Sequence, residues 1–230
     1  MFDADILKKI TDAAFSAATW LSAEVVTGTF KSAGRGNTLI VSDGSNEFVL
    51  RHYLRGGAIG HLVRDNYFWS NEDSNRAFRE WRLLAKLVEL GLPVPTPAAA
   101  RYYRFGILYK ADLMTVRLPG IRSLSDRITA APGDQDFWNK LGAGIWRFHR
   151  AGVFHADLNV SNVQFDPNDN LWLLDFDRGK LLSPGTWQQR NLARFHRSLK
   201  KLKQFDPAVH YTRQNWNEFL EGYFSESRSA

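Results

Sequence analysis

The sequence predicts an α+β protein with two lobes, in which an antiparallel sheet with one main helix precedes a mostly helical second half. Short β-branched and aromatic runs alternate with turn residues between Ser22 and Tyr53. Apolar residues at helical spacing dominate from residue 137 onward. Pro119-Gly120 lies between these regions and is a dipeptide typical of a turn that separates two structural segments. We therefore expect lobes over residues 1–118 and 119–230 that together form one domain.

The first half divides into four predicted segments. Apolar residues between Ile6 and Leu21 recur at helical spacing, which predicts a helix within residues 1–20. Three antiparallel strands are expected over 22–53. A helix over about 72–90 ends at Gly91, with Pro93 just beyond. Strand-like sequence returns over 106–118.

The second half begins with a predicted helix and a polar loop. Its elements are expected at 137–151 (helix), 152–162 (loop), 163–166 and 171–176 (strand pair), and about 187–204 and 212–224 (helices). The second strand of the pair delivers its last residues back toward the polar loop.

Composition limits the classes of protein that fit. The chain has 230 residues, 44% of them hydrophobic, so it can bury a substantial core. It has no cysteine, which excludes disulfides and thiolate metal sites. No apolar run approaches the roughly 20 residues that span a bilayer, and no signal peptide is recognisable, so a cytosolic location is expected. A formal charge of +6 indicates an anionic partner.

Two carboxylates and one carboxamide form the candidate catalytic group. Asp157, Asn162 and Asp175 follow one another at spacings of five and thirteen residues, and an apolar strand precedes Asp175. Phosphoryl transfer needs such a set: one aspartate to orient a hydroxyl and accept its proton, and two oxygen ligands to hold Mg²⁺ on the phosphates. Taken singly, each acid is also typical of a helix cap or turn, and the joint pattern favours chemistry.

Two histidines and an acidic segment near these residues are better explained by structural roles than by catalysis or metal binding. His149 and His155 are better explained as scaffold residues that hold backbone through ring hydrogen bonds. The segment Asp166-Pro-Asn-Asp-Asn170 imitates the spacing of a calcium-binding loop, but its sixth position is Leu171 rather than glycine. We interpret 166–170 as a hairpin turn.

On these residues the chain resembles the protein-kinase-like superfamily, and within it the Kdo (3-deoxy-D-manno-octulosonic acid) kinases of the lipopolysaccharide kinase family. The motifs that carry the resemblance are Leu50-Arg51-His52-Tyr53-Leu54-Arg55-Gly56-Gly57, Gly91-Leu92-Pro93-Val94-Pro95, His155-Ala156-Asp157-Leu158-Asn159, Asp175-Phe176-Asp177-Arg178-Gly179 and Trp187-Gln188-Gln189-Arg190-Asn191-Leu192. The resemblance implies a bilobal protein-kinase-like fold and ATP-dependent phosphorylation of the Kdo 4-hydroxyl on a lipid A precursor. It also implies a site at the cytoplasmic face of an inner membrane.

The resemblance places the nucleotide phosphates against the first lobe. Gly34, Arg35 and Gly36 lie where kinases have a glycine-rich phosphate cover, although a hairpin turn also favours glycine. Arg51 lies where kinases have a lysine, so a forked guanidinium replaces a compact ammonium. Glu80, on the predicted helix, is its expected partner.

Several departures from the usual kinase motifs indicate which kind of acceptor the chain uses. Asn159 lies where Ser/Thr kinases have a lysine, and little chain is available for an activation segment after Asp177, which makes a peptide acceptor less favoured. Asp177 in place of glycine is similar to aminoglycoside and choline kinases, which stay as the alternative class. A non-catalytic pseudokinase is a third possibility that the intact Asp157, Asn162 and Asp175 argue against.

Basic residues cluster in two places, the connector with Arg51, His52, Arg55, His61 and Arg64, and the predicted helix after residue 187. The cations of this helix surround an apolar stripe of Leu192, Phe195, Leu199 and Leu202. The helix either packs this stripe inward with solvated charges outside, or contacts an anionic membrane surface. We expect peripheral contact with the inner membrane and no nucleic-acid partner.

Overall fold

The computed structural model describes residues 1–25, 38–54 and 65–228. It divides into two compact units, one of Met1–Val88 with Pro95–Leu118 and the other of Glu89–Val94 with Pro119–Ala230. The predicted phosphate cover at Gly34, Arg35 and Gly36 lies outside the described residues, as do the basic residues of the segment 55–64.

The first unit is built on an antiparallel sheet. Its described strands are β1 (Ser22–Val25), β2 (Thr38–Ser42), β3 (Glu47–His52), β4 (Tyr67–Phe68), β5 (Pro97–Phe105) and β6 (Leu108–Val116). They pair in the order β1-β2-β3-β6-β4, and β5 also pairs with β6. The three antiparallel strands predicted between residues 22 and 53 are thus present among the described residues.

Alternation along β2 and β3 explains the core of this unit. Val41, Phe48 and Leu50 are buried against Ala99 and Met114 of the neighbouring strands. Residues at every second position share one face of a strand, so this pattern buries one face of the sheet.

The helix predicted within residues 1–20 is wrong. Met1–Asp3 instead extend along β5, where Asp3 N–H donates to the Ala98 carbonyl and Ala100 N–H to the Met1 carbonyl, each at 2.9 Å. Two short 3-10 helices follow at Asp12–Phe15 and Ala17–Thr19. Ile6, Ile10 and Ala14, which suggested a helix, pack on the sheet core, whereas Leu21 is 80% exposed.

The main helix of the first unit, α1 (Arg76–Glu89), confirms the prediction with a shorter span. It starts after buried Asn75, whose side-chain oxygen accepts hydrogen bonds from the N–H groups of Ala77 and Phe78 at 3.0 and 3.3 Å. Leu87 is buried, whereas Val88 is 38% exposed. Glu80 lies on the buried face.

The second unit is mainly helical. Its helices are α2 (Leu124–Ala130), α3 (Gln135–Arg150), α4 (Trp187–Phe205) and α5 (Arg213–Arg228), and its short strands are β7 (Arg122–Ser123), β8 (Val153–Phe154), β9 (Val163–Phe165), β10 (Leu171–Leu173) and β11 (Lys180–Leu181). Among the described residues these strands pair as β10-β9-β7 and β11-β8. The segment 166–170 is the hairpin turn between β9 and β10, and Asp166 accepts hydrogen bonds from the N–H groups of Asn168 and Asn170.

Close packing of α3 on α5 organises this unit. A Cβ at Gly142 would lie 2.0 Å from the Phe219 carbonyl oxygen, and one at Gly222 would lie 2.0 Å from the Asn139 carbonyl oxygen. Both glycines are therefore required by close backbone approach. On α4, the stripe that includes Phe195 and Leu199 is buried, so the cations of that helix lie outside.

Candidate active site

The loop between β8 and β9 brings Asp157 and Asn162 together. The Asn162 side-chain N–H donates to the Asp157 carbonyl at 2.9 Å, and the Asn159 amide does the same at 3.0 Å. Asn159 in turn accepts from the N–H groups of Ser161 and Asn162 at 2.8 and 3.1 Å. Asn159, which replaces a kinase lysine, therefore holds the loop in shape.

Asp175 lies two residues beyond the returning strand β10, which ends at Leu173 rather than at the predicted residue 176. The Leu174 N–H donates to the Asn162 carbonyl at 2.9 Å, which fixes the chain immediately before Asp175. Asp175 and Arg178 have φ angles of 63° and 59°, in the left-handed region that non-glycine residues seldom adopt. Such backbone costs roughly 1–3 kcal/mol at each position and occurs preferentially at functional sites.

His155 joins the loop to the returning strand. Its Nε2–H donates to the Leu174 carbonyl at 2.9 Å, and its Nδ1 accepts from the Asp157 N–H at 3.2 Å. Burial lowers the pKa of His155, which favours the neutral ring that this pair of bonds requires. The histidine thus orders the backbone on both sides of the candidate site, as expected of a scaffold residue.

Asn191 of α4 supports the same loop from the other side. Its side chain accepts from the His155 N–H at 3.2 Å and donates to the His155 carbonyl at 3.0 Å. Asn191 is buried. A carboxamide can satisfy a backbone donor and acceptor together, which explains this residue type at the position.

The Asp157 carboxylate faces a cation from α4. Arg194 Nη1 lies 3.2 Å from Asp157 Oδ1, and the two side chains are 47% and 35% exposed. An ion pair this exposed is worth only about 0.2–1 kcal/mol. Arg194 can therefore leave the carboxylate at little cost when another group approaches.

The side chains at 162 and 175 suit a hard cation. Because the Asn162 amide nitrogen is engaged with Asp157, its amide oxygen is directed the other way. An amide oxygen and a carboxylate are ligands that Mg²⁺ accepts, and the ion usually completes its shell with water and substrate phosphates. The described residues contain no cluster of three or more histidine, cysteine or acidic side chains that could hold a metal ion.

The first unit contains a second polar group, centred on buried Glu80. Its carboxylate pairs with Arg51 and accepts a hydrogen bond from the Tyr53 hydroxyl at 2.6 Å. Arg51 also donates to that hydroxyl at 3.0 Å. Burial, and then the charge of Glu80, raise the pKa of Tyr53 well above its ordinary value. The expected pairing of Arg51 with Glu80 is present, and Glu80 is not a surface acid.

Sequence reasoning missed three residues of these groups. Tyr53 could have been found from strand alternation, because it lies two residues after Arg51 and so faces the same side. Asn191 and Arg194 are 36 and 37 residues from their partners, and helix periodicity gives no signal for such contacts.

One face of α4 exposes a cationic stripe. Arg190, Arg194, Arg197 and Lys201 are exposed and recur at three- and four-residue spacing, which aligns them along the helix. No helix in the described part of the chain combines the length and apolar character that a bilayer crossing requires.

Comparison with known proteins identifies the family. The model of the lipopolysaccharide kinase (Kdo/WaaP) family matches residues 21–223. A 3-deoxy-D-manno-octulosonic acid kinase of Stenotrophomonas maltophilia (strain K279a) is 44% identical over 204 residues, which cover 88% of this chain and 80% of that protein. One of Vibrio parahaemolyticus serotype O3:K6 (strain RIMD 2210633) is 38% identical over 200 residues, covering 87% and 83%.

A solved structure supports the fold. The bifunctional kinase-methyltransferase WbdD aligns with a TM-score of 0.51 at 16% identity, covering 91% of this chain and 47% of that chain. The likeness indicates the kinase-like fold alone. From the family match and the similarity to its curated members, the chain belongs to the lipopolysaccharide kinase (Kdo/WaaP) family.

Proposed function

We propose that this chain is an ATP-dependent kinase that phosphorylates the 4-hydroxyl of Kdo on a lipid A precursor, in lipopolysaccharide core biosynthesis. The observation that carries the proposal is the hydrogen-bonded loop of Asp157 and Asn162, in a chain 44% identical to a 3-deoxy-D-manno-octulosonic acid kinase. Family membership supports an ATP-dependent phosphotransferase with an alcohol acceptor.

In this proposal the second predicted lobe, residues 119–230, performs the chemistry. Asp157 accepts a hydrogen bond from the acceptor hydroxyl and takes its proton as the new oxygen–phosphorus bond forms and the bond to ADP breaks. The Asp157 carbonyl accepts a hydrogen bond from the Asn162 amide and the Asp157 N–H donates to the His155 ring, which fixes the backbone that carries the carboxylate. Catalysis then comes mainly from alignment and charge neutralisation.

Asn162 and Asp175 are the proposed magnesium ligands. The ion, when bound there, supplies positive charge to the oxygens of the transferred phosphate. The amide orientation at Asn162 and the fixed backbone before Asp175 support this assignment.

The first predicted lobe, residues 1–118, is proposed to hold the ATP phosphates. Arg51 would contact phosphate oxygens while Glu80 fixes the guanidinium, which is 24% exposed and so accessible to a ligand. Gly34, Arg35 and Gly36 would cover the phosphates with backbone N–H groups.

Peripheral contact with the cytoplasmic face of the inner membrane belongs to the same proposal. The exposed cations of α4 support it, because each cation near an anionic leaflet contributes about 1 kcal/mol of attraction. A Kdo-bearing lipid A precursor is an acidic glycolipid, so its negative charges would also be attracted to the cationic face of this helix.

An acceptor panel tests the proposed function. We expect phosphate from radiolabelled ATP to appear on a Kdo-bearing lipid A precursor, with slower transfer to free Kdo and none to aminoglycosides. Label on an aminoglycoside or on choline alone would favour the small-molecule kinases. Absence of Mg·ATP consumption with every acceptor would indicate a pseudokinase.

A further inference from the structure

A cavity of about 420 Å³ opens beside Asp157 in the second unit. It is lined by Phe154, Ala156, Asp157, Arg178, Lys180 and Arg194. Three of these side chains are cationic and one is a carboxylate. The cavity therefore has an excess of positive charge next to the proposed catalytic group.

The three cations come from different elements that the fold holds in register. Arg178 lies in the turn after Asp175, where the Gly179 N–H donates to the Phe176 carbonyl at 2.8 Å. Lys180 is on β11, directly opposite Phe154 of β8. Arg194 is on α4. Because separate elements converge on one cavity, the charge is a property of the fold rather than of a single flexible segment.

Acidic side chains around the cavity do not neutralise it. Arg194 contacts Asp157 at 3.2 Å, and the Arg178 guanidinium lies 3.8 Å from its neighbour Asp177. Lys180 forms no ion pair with any residue that the structure describes. The left-handed backbone of Arg178 is a further sign of function, because a long side chain occupies a position where glycine would be less strained.

The identity of the lining residues indicates which substrate enters. Asp157 lines the cavity, whereas the proposed metal ligands Asn162 and Asp175 do not. Phosphates held through the metal would therefore lie elsewhere, and the cavity lies on the acceptor side of Asp157. An acceptor hydroxyl that reaches Asp157 must place its neighbouring groups in or beside this space.

We propose that Arg178, Lys180 and Arg194 form the subsite that binds the carboxylate of an acid-sugar acceptor. The inference rests on the proposed function, since an octulosonic acid carries a carboxylate on the ring carbon two positions from the one that bears the 4-hydroxyl. Guanidinium groups bind carboxylates through paired, charge-assisted hydrogen bonds. Arg194 exchanges its contact with Asp157 for the carboxylate of the ligand, which brings the acceptor up to the Asp157 carboxylate.

Two variants and a modified acceptor test the subsite. Arg178→Gly removes the guanidinium while suiting the positive φ, so the fold is preserved, and Lys180→Gln removes the second charge. Lys140→Gln, an exposed lysine of the same unit outside this cavity, is the matched control. Each protein is assayed with the Kdo-bearing lipid precursor and with its carboxyl methyl ester, which retains the same hydroxyl, and the KM for ATP is measured in parallel.

The wild-type protein and the control are expected to prefer the free acid over the ester by roughly 10- to 100-fold in kcat/KM, the range of one lost charge-assisted contact. Arg178→Gly and Lys180→Gln should lose most of this preference with the KM for ATP unchanged. Equal use of acid and ester by the wild type, or variants that raise the KM for ATP and keep the preference, would overturn the subsite. Failure of the wild type to phosphorylate either acceptor would instead refute the proposed function.

Discussion

Replacement of the Arg51–Tyr53–Glu80 group by apolar residues should separate its structural role from its proposed role in ATP binding. The perturbation is the triple variant Arg51→Met, Tyr53→Phe, Glu80→Leu, compared with Glu80→Leu alone. A buried ion pair contributes little net stability, because desolvation of the charges offsets their attraction. Loss of one partner is costly, because the other charge then lies buried without compensation.

The structure sets the expected magnitudes. The Glu80 side chain is 3% exposed and that of Arg51 is 24% exposed. Glu80→Leu leaves the guanidinium and the Tyr53 hydroxyl without their carboxylate, so we expect a loss of about 3–5 kcal/mol, nearer the lower value because Arg51 reaches some solvent. The triple variant removes all three polar groups together and should lie within about 1–2 kcal/mol of the wild type.

Urea denaturation and kinase kinetics measure the two roles separately. The triple variant is expected to fold with near wild-type stability, yet to lose roughly 100-fold in kcat/KM for ATP because the Arg51 guanidinium no longer contacts the phosphates. Wild-type kcat/KM in the triple variant would refute the role of Arg51 in ATP binding. A triple variant no more stable than Glu80→Leu would refute the buried-pair reasoning.

Three further predictions concern the second unit. Burial lowers the pKa of His149 to about 4, whereas the same residue in the unfolded chain takes up its proton near pH 6.5. Acidification from pH 7 to pH 4 therefore favours the unfolded chain, and this residue alone should lower the free energy of unfolding by about 3 kcal/mol. Denaturation measured across that range should show a smaller loss of stability in His149→Gln than in the wild type. Gly142→Ala should destabilise the protein by more than about 2 kcal/mol, because the new Cβ would collide with backbone atoms of α5. Gly144→Ala is the matched control, because its Cβ would contact only the movable side chain of Leu171. Its stability in thermal unfolding should be within about 1 kcal/mol of the wild type. Asn191→Ala should cost at least about 2 kcal/mol in chemical denaturation, since the backbone N–H and carbonyl of His155 both lose their partner, and an unchanged midpoint would contradict that role.

The predictable parts of the fold were those with strong local signals. The span of α1 followed from an apolar face ending at Gly91, whose φ of 67° suits a glycine after a helix. The helix prediction for residues 1–20 failed because apolar residues of this segment pack on the sheet core. Periodicity alone cannot distinguish such residues from the apolar face of a helix. The seven-residue helix α2 was missed although Ser123 caps it by accepting a hydrogen bond from the Asp126 N–H, a signature that the sequence contains.

The residues of the candidate site also divide into those that local sequence patterns predict and those that depend on tertiary packing. Asp157, Asn162 and Asp175 could be proposed from spacing, because a short loop and a hairpin bring near neighbours in sequence together. The contact of Arg194 with Asp157 depends on how α4 packs against that loop, and no local pattern encodes it. The cation-lined cavity was therefore visible only in the folded chain.

Phosphate transfer by an Asp157 variant tests the central claim most directly. Asp157→Asn keeps the size of the side chain but cannot accept the hydroxyl proton, and Asp169→Asn in the exposed hairpin turn is its matched control. With the Kdo-bearing lipid precursor and saturating ATP, we expect the initial rate to fall by about 10²–10⁴-fold in Asp157→Asn and to stay at the wild-type value in Asp169→Asn. A rate for Asp157→Asn equal to that of the wild type would contradict the account.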